Sequence, residues 1–155
     1  MPSLGALGTK TFWGGEDNYF LPGGMQCRGC GSLLAAKLIL RTIYETTSNA
    51  MVFGRTCGGG RSELQTGGRI GCDGSGMMGI QTGLELRGIQ DKNLVVICGE
   101  GGMLEMGFGD FVASFDREQK ITWIILDNQA YASSGSHITP TTPLKAATKI
   151  FSPVM

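Results

Sequence analysis

The sequence has no excess of either charge: 13 basic residues balance 13 acidic ones. Proteins held to nucleic acid through phosphate contacts carry a basic surplus, so a nucleic-acid partner is not expected. Long apolar runs are missing too. The most apolar stretches, Leu94–Cys98 and Ile121–Leu126, fall far short of the roughly 20 residues that span a bilayer. The start of the chain shows no basic cluster followed by an apolar run, so no signal peptide is expected. The default expectation is a cytoplasmic protein without a membrane partner. Histidine is scarce, with His137 alone, and there is one CxxC and no second. A four-ligand zinc site therefore has too few candidates. The CxxC lacks the following His of c-type haem attachment, and no strand precedes it as in a thioredoxin-like motif. Internal repeats and low-complexity tracts are absent.

What is present is glycine, 26 of 155 residues, more than twice the usual share of about 7%. The glycines cluster without a collagen-like period, which points to loops that approach something closely. Apolar residues make up 41%, enough to build a core. Five cysteines, Cys27, Cys30, Cys57, Cys72 and Cys98, are an odd number for a disulfide framework. In a reducing compartment they point to metal or redox chemistry.

Residues 1–24 carry no periodicity and are read as an extended arm or linker, with one domain over 25–155. Residues 32–46 show helical spacing through Leu33, Leu34, Leu38, Ile39 and Ile43, with Gly31 or Ser32 as the cap. A short buried strand is expected over 50–54, a loop over 55–74 and a helix over 75–87. Leu94–Cys98 suits a strand buried on both faces. Gly99–Gly102 reads as a tight turn, residues 104–118 as a helix and Ile121–Leu126 as a second buried strand. Strand, turn, helix, strand is a βαβ unit, so the class is α/β with a mainly parallel sheet flanked by helices. The methionines, such as Met77, Met78 and Met103, read as gap-filling core, and Trp13 and Trp123 as structural.

Ligands of open α/β sheets bind beyond the carboxyl ends of the strands. Gly99-Glu100-Gly101-Gly102 stands at one such end and Asp127-Asn128-Gln129-Ala130-Tyr131 at the next. Backbone amides at Gly101 and Gly102, opening a helix, suit a phosphate. Glu100 and the side-chain oxygen of Asn128 are hard ligands for Mg²⁺, to be completed by a backbone carbonyl and diphosphate oxygens. The turn alone is equally a plain βα loop. It is neither a GxGxxG fingerprint, since Leu104 stands at the last glycine position, nor a GxxxxGK[ST] loop.

The joint pattern resembles the β subunit of 2-oxoacid:ferredoxin oxidoreductases, a thiamine diphosphate-binding family that includes pyruvate:ferredoxin oxidoreductase. The residues that carry the resemblance are GEGG at 99–102, DNQAYASSG at 127–135, Thr142-Pro143, and TKIFSP at 148–153. To these are added CRGCG at 27–31 and the loop at 55–58. The family's patterns are GDGG, DNxxYxxTG, TP, TTTSP, CAGCG and TGC. The resemblance implies thiamine diphosphate, Mg²⁺ and a 4Fe-4S cluster as cofactors. Glu100, in place of the family's Asp, Asn128 and the carbonyl of Ala130 would hold Mg²⁺. Gly99, Gly101 and Gly102 would meet the diphosphate with Ala132 and Ser133 nearby, and Thr56, Cys57 and Gly58 would line the cofactor from the second loop. Cys27, Cys30 and Cys57 would bind the cluster. The fourth ligand lies in a C-terminal region that this chain lacks, or is Cys72. Cys98 is expected in the core or lining the pocket.

The implied activity is oxidative decarboxylation of a 2-oxoacid to acyl-CoA and CO₂, with electrons passed through the cluster to ferredoxin. The glutamate that activates the cofactor would come from a partner α subunit, one of several in a hetero-oligomer, so this chain alone would be inactive. Arg61 or Arg69 is a candidate for a substrate carboxylate, though a solvated surface arginine is the plainer reading. His137 stands where the family often has Gln near the site mouth. Two other readings compete: a non-redox thiamine diphosphate-dependent decarboxylase subunit, and a non-enzymatic CxxC metal-binding module. A degenerate scaffold subunit is a third.

Overall fold

The computed structural model describes residues 27–47, 49–54 and 69–150. The expected arm over 1–24, the loop with Thr56, Cys57, Gly58 and Arg61, and the last five residues lie outside them. Three helices, α1 (Gly31–Thr46), α2 (Asp73–Leu86) and α3 (Phe108–Asp116), accompany three strands, β1 (Ala50–Phe53), β2 (Asn93–Gly99) and β3 (Ile121–Leu126). The strands form one parallel sheet in the order β1-β2-β3.

The central strand explains why Leu94–Cys98 is apolar at every position. Successive side chains of a strand point to opposite faces, and here both faces are covered. Val95 and Ile97 pack with Val52 against Ala36 and Leu40 of α1. Leu94, Val96 and Cys98 pack with Met77 of α2 and with Met103. Fully burying each of these aliphatic side chains contributes about 1.5–3 kcal/mol. Ala36 and Leu40 lie four residues apart, which places them on one face of α1. That helix ends at Thr46, where the N–H of Thr47 still reaches the Ile43 carbonyl (2.9 Å) as the chain turns extended. Its N-cap is Cys30 rather than Gly31 or Ser32, and no side chain caps it.

Helix α2 starts at Asp73, two residues before the expected 75, and stops at Leu86. Two glycines that the sequence left unexplained have neighbours here. A Cβ at Gly76 would stand 2.4 Å from the Phe53 ring, and one at Gly74 would stand 2.8 Å from Oδ2 of Asp110. They let α2 lie against β1 and the start of α3.

The segment after β2 departs most from expectation. Gly99–Gly102 is not a tight turn. The chain passes from β2 straight into helix, with Gly101 at φ −63°, ψ −42°, and continues as a π-helical turn over Gly102–Met106. The N–H of Gly107 closes that turn onto the Gly102 carbonyl (2.9 Å). The single helix expected over 104–118 is therefore a π turn followed by α3, which ends at Asp116. Gly107 marks the joint because a Cβ there would meet Met103 Cε at 2.6 Å and Gly71 Cα at 2.8 Å. Past α3, Glu118 takes φ 51° and breaks the helix. Phe111 meets Trp123 edge-on (5.0 Å, 89°), which fastens α3 to β3 and gives Trp123 its structural place. No helix among the described residues is long and apolar enough to cross a membrane.

Candidate functional site

The carboxyl ends of β2 and β3 open into one solvent-open cleft. Of the site residues expected from sequence, Gly99, Glu100, Gly101, Gly102, Asn128, Ala130 and Ser133 line it together. Ala132, next to Ser133, does not. Parallel strands place their following loops side by side, so the register Cys98↔Ile125 and Gly99↔Leu126 brings the 99–102 and 127–131 segments together.

Glu100 is the cleft's buried acid. It is 3% exposed, and its Oε1 is buried with no hydrogen-bond partner among the described residues. Such an orphaned acceptor costs free energy unless a cation or donor meets it. Opposite, Asn128 Oδ1 accepts the Ala130 N–H at 3.2 Å, which leaves its second lone pair for a ligand. Gln129, at φ 62°, bends the loop. Thr142 Oγ1 donates to the Gln129 carbonyl (2.6 Å) and Thr141 Oγ1 donates to Asp127 Oδ1 (2.8 Å). The Thr142-Pro143 stretch thus braces the asparagine loop from behind. A buried carboxylate oxygen, a carboxamide oxygen and a carbonyl on one cleft suit a hard divalent cation of the Mg²⁺ type.

The glycines serve the cleft in an unexpected way. The space beside Gly101 is filled by the Tyr131 ring, whose carbon would stand 2.4 Å from a Cβ, and the space beside Gly102 by Ile70 at 3.0 Å. Only Gly99 of the three faces open room. Gly101 and Gly102 begin a helical segment, where the first N–H groups lack intrahelical partners and favour an anion.

Two residues that sequence reasoning passed over belong to the cleft. The sequence pattern puts Asp73 in a loop, but it is the first residue of α2 and 1% exposed. Asp110 already takes the N–H groups of Gly74 (2.7 Å) and Ser75 (2.9 Å), so the start of α2 is capped from α3. Asp73 Oδ1 is left with no partner among the described residues. Burial, and then the charge of Asp110, push its carboxyl up to about 7. An acid just ahead of a helical pattern was the available signal. The second is Tyr131, whose hydroxyl donates to the Gly101 carbonyl at 2.6 Å. Burial, then a hydrogen bond to Glu105 and the charges of Glu105 and Glu100, push its phenol up to about 12, so it stays protonated.

Cys98 is buried and lines the cleft as expected, its thiol pushed up to about 12 by burial and by Asp73. His137 contributes through its backbone, accepting the Tyr131 N–H at 2.9 Å, while its side chain is exposed. Arg69 is exposed and does not line the cleft. Cys27 and Cys30 sit together in a turn closed by Cys30 N–H to the Cys27 carbonyl (3.2 Å), with Gly29 at φ 75°, immediately before α1. Cys72 precedes α2. Among the described residues no three His, Cys, Asp or Glu side chains gather as a metal group.

Known proteins resemble this chain in sequence and fold. Residues 50–153 match the family described as thiamine pyrophosphate enzyme, C-terminal TPP binding domain. The chain is 26% identical over 140 residues to pyruvate synthase subunit PorB of Methanothermobacter thermautotrophicus, covering 86% of this chain and 49% of that one. It is 25% identical to 2-oxoglutarate synthase subunit KorB of Archaeoglobus fulgidus, covering 79% and 47%. The chain thus spans about half the length of these relatives. A solved 2-oxoglutarate:ferredoxin oxidoreductase from Magnetococcus marinus, with 2-oxoglutarate, coenzyme A and succinyl-CoA bound, shares the fold. Its TM-score is 0.64 at 20% identity, over 87% of this chain and 48% of that one.

Proposed function

Because the chain belongs to the family of the C-terminal thiamine pyrophosphate-binding domain of thiamine pyrophosphate enzymes, we propose that its cleft holds thiamine diphosphate and Mg²⁺. We further propose that it works as the β subunit of a 2-oxoacid:ferredoxin oxidoreductase. The observation that carries this reading is the orphaned, buried Oε1 of Glu100 in a cleft shared with Asn128 and Ala130. Glu100, Asn128 Oδ1 and the Ala130 carbonyl would hold the cation, and the backbone of Gly99–Gly102 the diphosphate, beside Ser133. Ala132 and the 56–58 loop complete our proposed cofactor surround. When bound, thiamine diphosphate supplies a nucleophilic carbon and an electron sink for decarboxylating a 2-oxoacid. The chain's own task is to bind, orient and neutralise the diphosphate.

The rest of the proposal follows the relatives. The protein acts with α and further subunits in a cytoplasmic hetero-oligomer that converts a 2-oxoacid and coenzyme A to acyl-CoA and CO₂ and passes electrons to ferredoxin. The activating glutamate comes from the partner subunit. Cys27, Cys30 and Cys57 hold a 4Fe-4S cluster, the fourth ligand being Cys72 or a residue of a further C-terminal region. Residues 25–155 form the cofactor domain behind an arm at 1–24. An obligate partner is supported by the outer side of α3, where Phe108, Val112 and Phe115 are exposed at the i, i+4, i+7 spacing of one helix face.

The test uses the complex purified anaerobically with its partner subunits. It should reduce ferredoxin when given a 2-oxoacid and coenzyme A. Asn128→Ala should lower that rate by about 10- to 100-fold at limiting Mg²⁺, the scale on which groups around a metal act. An unchanged rate would remove Asn128 from the site.

A further inference from the structure

We propose that Tyr131 is the positioning residue of this site. It sets the distance between the half that carries Glu100 and the diphosphate glycines and the half that carries Asn128 and Ala130. The inference deepens the cofactor reading above and rests on it.

Tyr131 follows Ala130 directly, so its backbone belongs to the asparagine half. That backbone is pinned: its N–H donates to the His137 carbonyl (2.9 Å), and its carbonyl accepts the N–H groups of Ser134 and Ser136 (both 3.0 Å). The Tyr131–His137 bridge makes a stiff post of the loop. From it the side chain reaches 30 residues back in sequence. The hydroxyl donates to the Gly101 carbonyl at 2.6 Å, and the ring occupies the place of a Cβ on Gly101. A phenol has one proton to give; the Glu105 carboxylate also lies within hydrogen-bond reach of the hydroxyl, and the charges of Glu105 and Glu100 keep it protonated. The ring therefore acts as a spacer and the hydroxyl as a latch. Both grip the residue beside Glu100, where the chain leaves β2 for helix. On this account residue 101 is glycine because of the tyrosine, not only because of a diphosphate. Glu100 cannot shift relative to Asn128 without breaking the latch.

The test is a calorimetric titration of thiamine diphosphate, in the presence of Mg²⁺, into the complex assembled from full-length chains. Tyr131→Phe keeps the spacer and removes the latch. It should weaken binding by about 5-fold, the share of one neutral hydrogen bond. Gly101→Ala should weaken binding about 10-fold or more by forcing the ring away. In a Tyr131→Ser background, where the ring is gone, adding Gly101→Ala should cost less than about 2-fold more, a departure from additivity that marks direct coupling. Wild-type affinity in Tyr131→Phe overturns the latch. Additive losses in the double variant overturn the spacer. A lowered unfolding temperature with unchanged affinity reduces Tyr131 to a structural residue and overturns both. If the wild-type complex itself fails to bind thiamine diphosphate with Mg²⁺, the cofactor reading falls and this inference falls with it.

Discussion

Replacing Asp73 with asparagine should stabilise the protein at neutral and alkaline pH. Asp73 is almost wholly buried, its Oδ1 has no partner among the described residues, and Asp110 stands close enough to repel its charge. Its carboxyl is pushed from 3.8 up to about 7. The folded state therefore keeps a proton that the unfolded chain has already lost between these values. Below 3.8 both states are protonated and the group is neutral in its effect. As pH rises from 3.8 to about 7, stability is lost. The loss amounts to about 4 kcal/mol, since each pH unit between 3.8 and about 7 is worth about 1.4 kcal/mol. Above about 7 the penalty is complete and constant. Asparagine has nearly the same shape and never charges. Urea unfolding of wild type and Asp73→Asn across a pH series, scored as their difference, isolates this one group from every other carboxylate. The difference should be smallest near pH 4 and grow by about 4 kcal/mol in favour of the variant by pH 8. A difference independent of pH, or a variant less stable at pH 8, would refute the reasoning and mean that the charged form is held by a partner.

Gly76→Ala should destabilise by about 1–3 kcal/mol, because its Cβ would press on Phe53 in a packed layer. Gly79→Ala, three residues along the same helix with nothing within 4 Å, should stabilise by up to about 1 kcal/mol in thermal unfolding. Met77→Ala, which empties a fully buried position, should cost about 2–5 kcal/mol in denaturant titrations. Thr142→Val removes the hydroxyl that braces Gln129. It should raise the Mg²⁺ concentration needed for half-maximal cofactor binding by about 3- to 10-fold, with little change in overall stability.

Much of the scaffold was legible from sequence because burial alone dictates it. β2 must be apolar throughout when α1 covers one face and α2 the other. α1 announced itself through the spacing of its apolar side. The candidate cleft was legible from position, since consecutive parallel strands deliver their loops to one edge. What local pattern could not convey were contacts made across the fold. The π turn at Gly102–Met106 depends on Gly107 resting against Gly71 and Met103, which no periodicity in 99–107 encodes. Asp73 reads as an ordinary loop acid until Asp110, 37 residues on, takes the helix N–H groups it would have capped. Tyr131 was visible as part of a motif, but its grip on Gly101 joins two loops that only the sheet register brings together.

The central claim is that Glu100 and Asn128 share one cation beneath a bound diphosphate. The most direct measurement is an anomalous-scattering map of the intact complex crystallised with thiamine diphosphate and Mn²⁺ in place of Mg²⁺. The account requires a single Mn²⁺ peak within coordination distance of Glu100, Asn128 Oδ1 and the Ala130 carbonyl, with the diphosphate against Gly99–Gly102. A complex that holds the cofactor with its Mn²⁺ on other residues, leaving Glu100 unliganded, would contradict it.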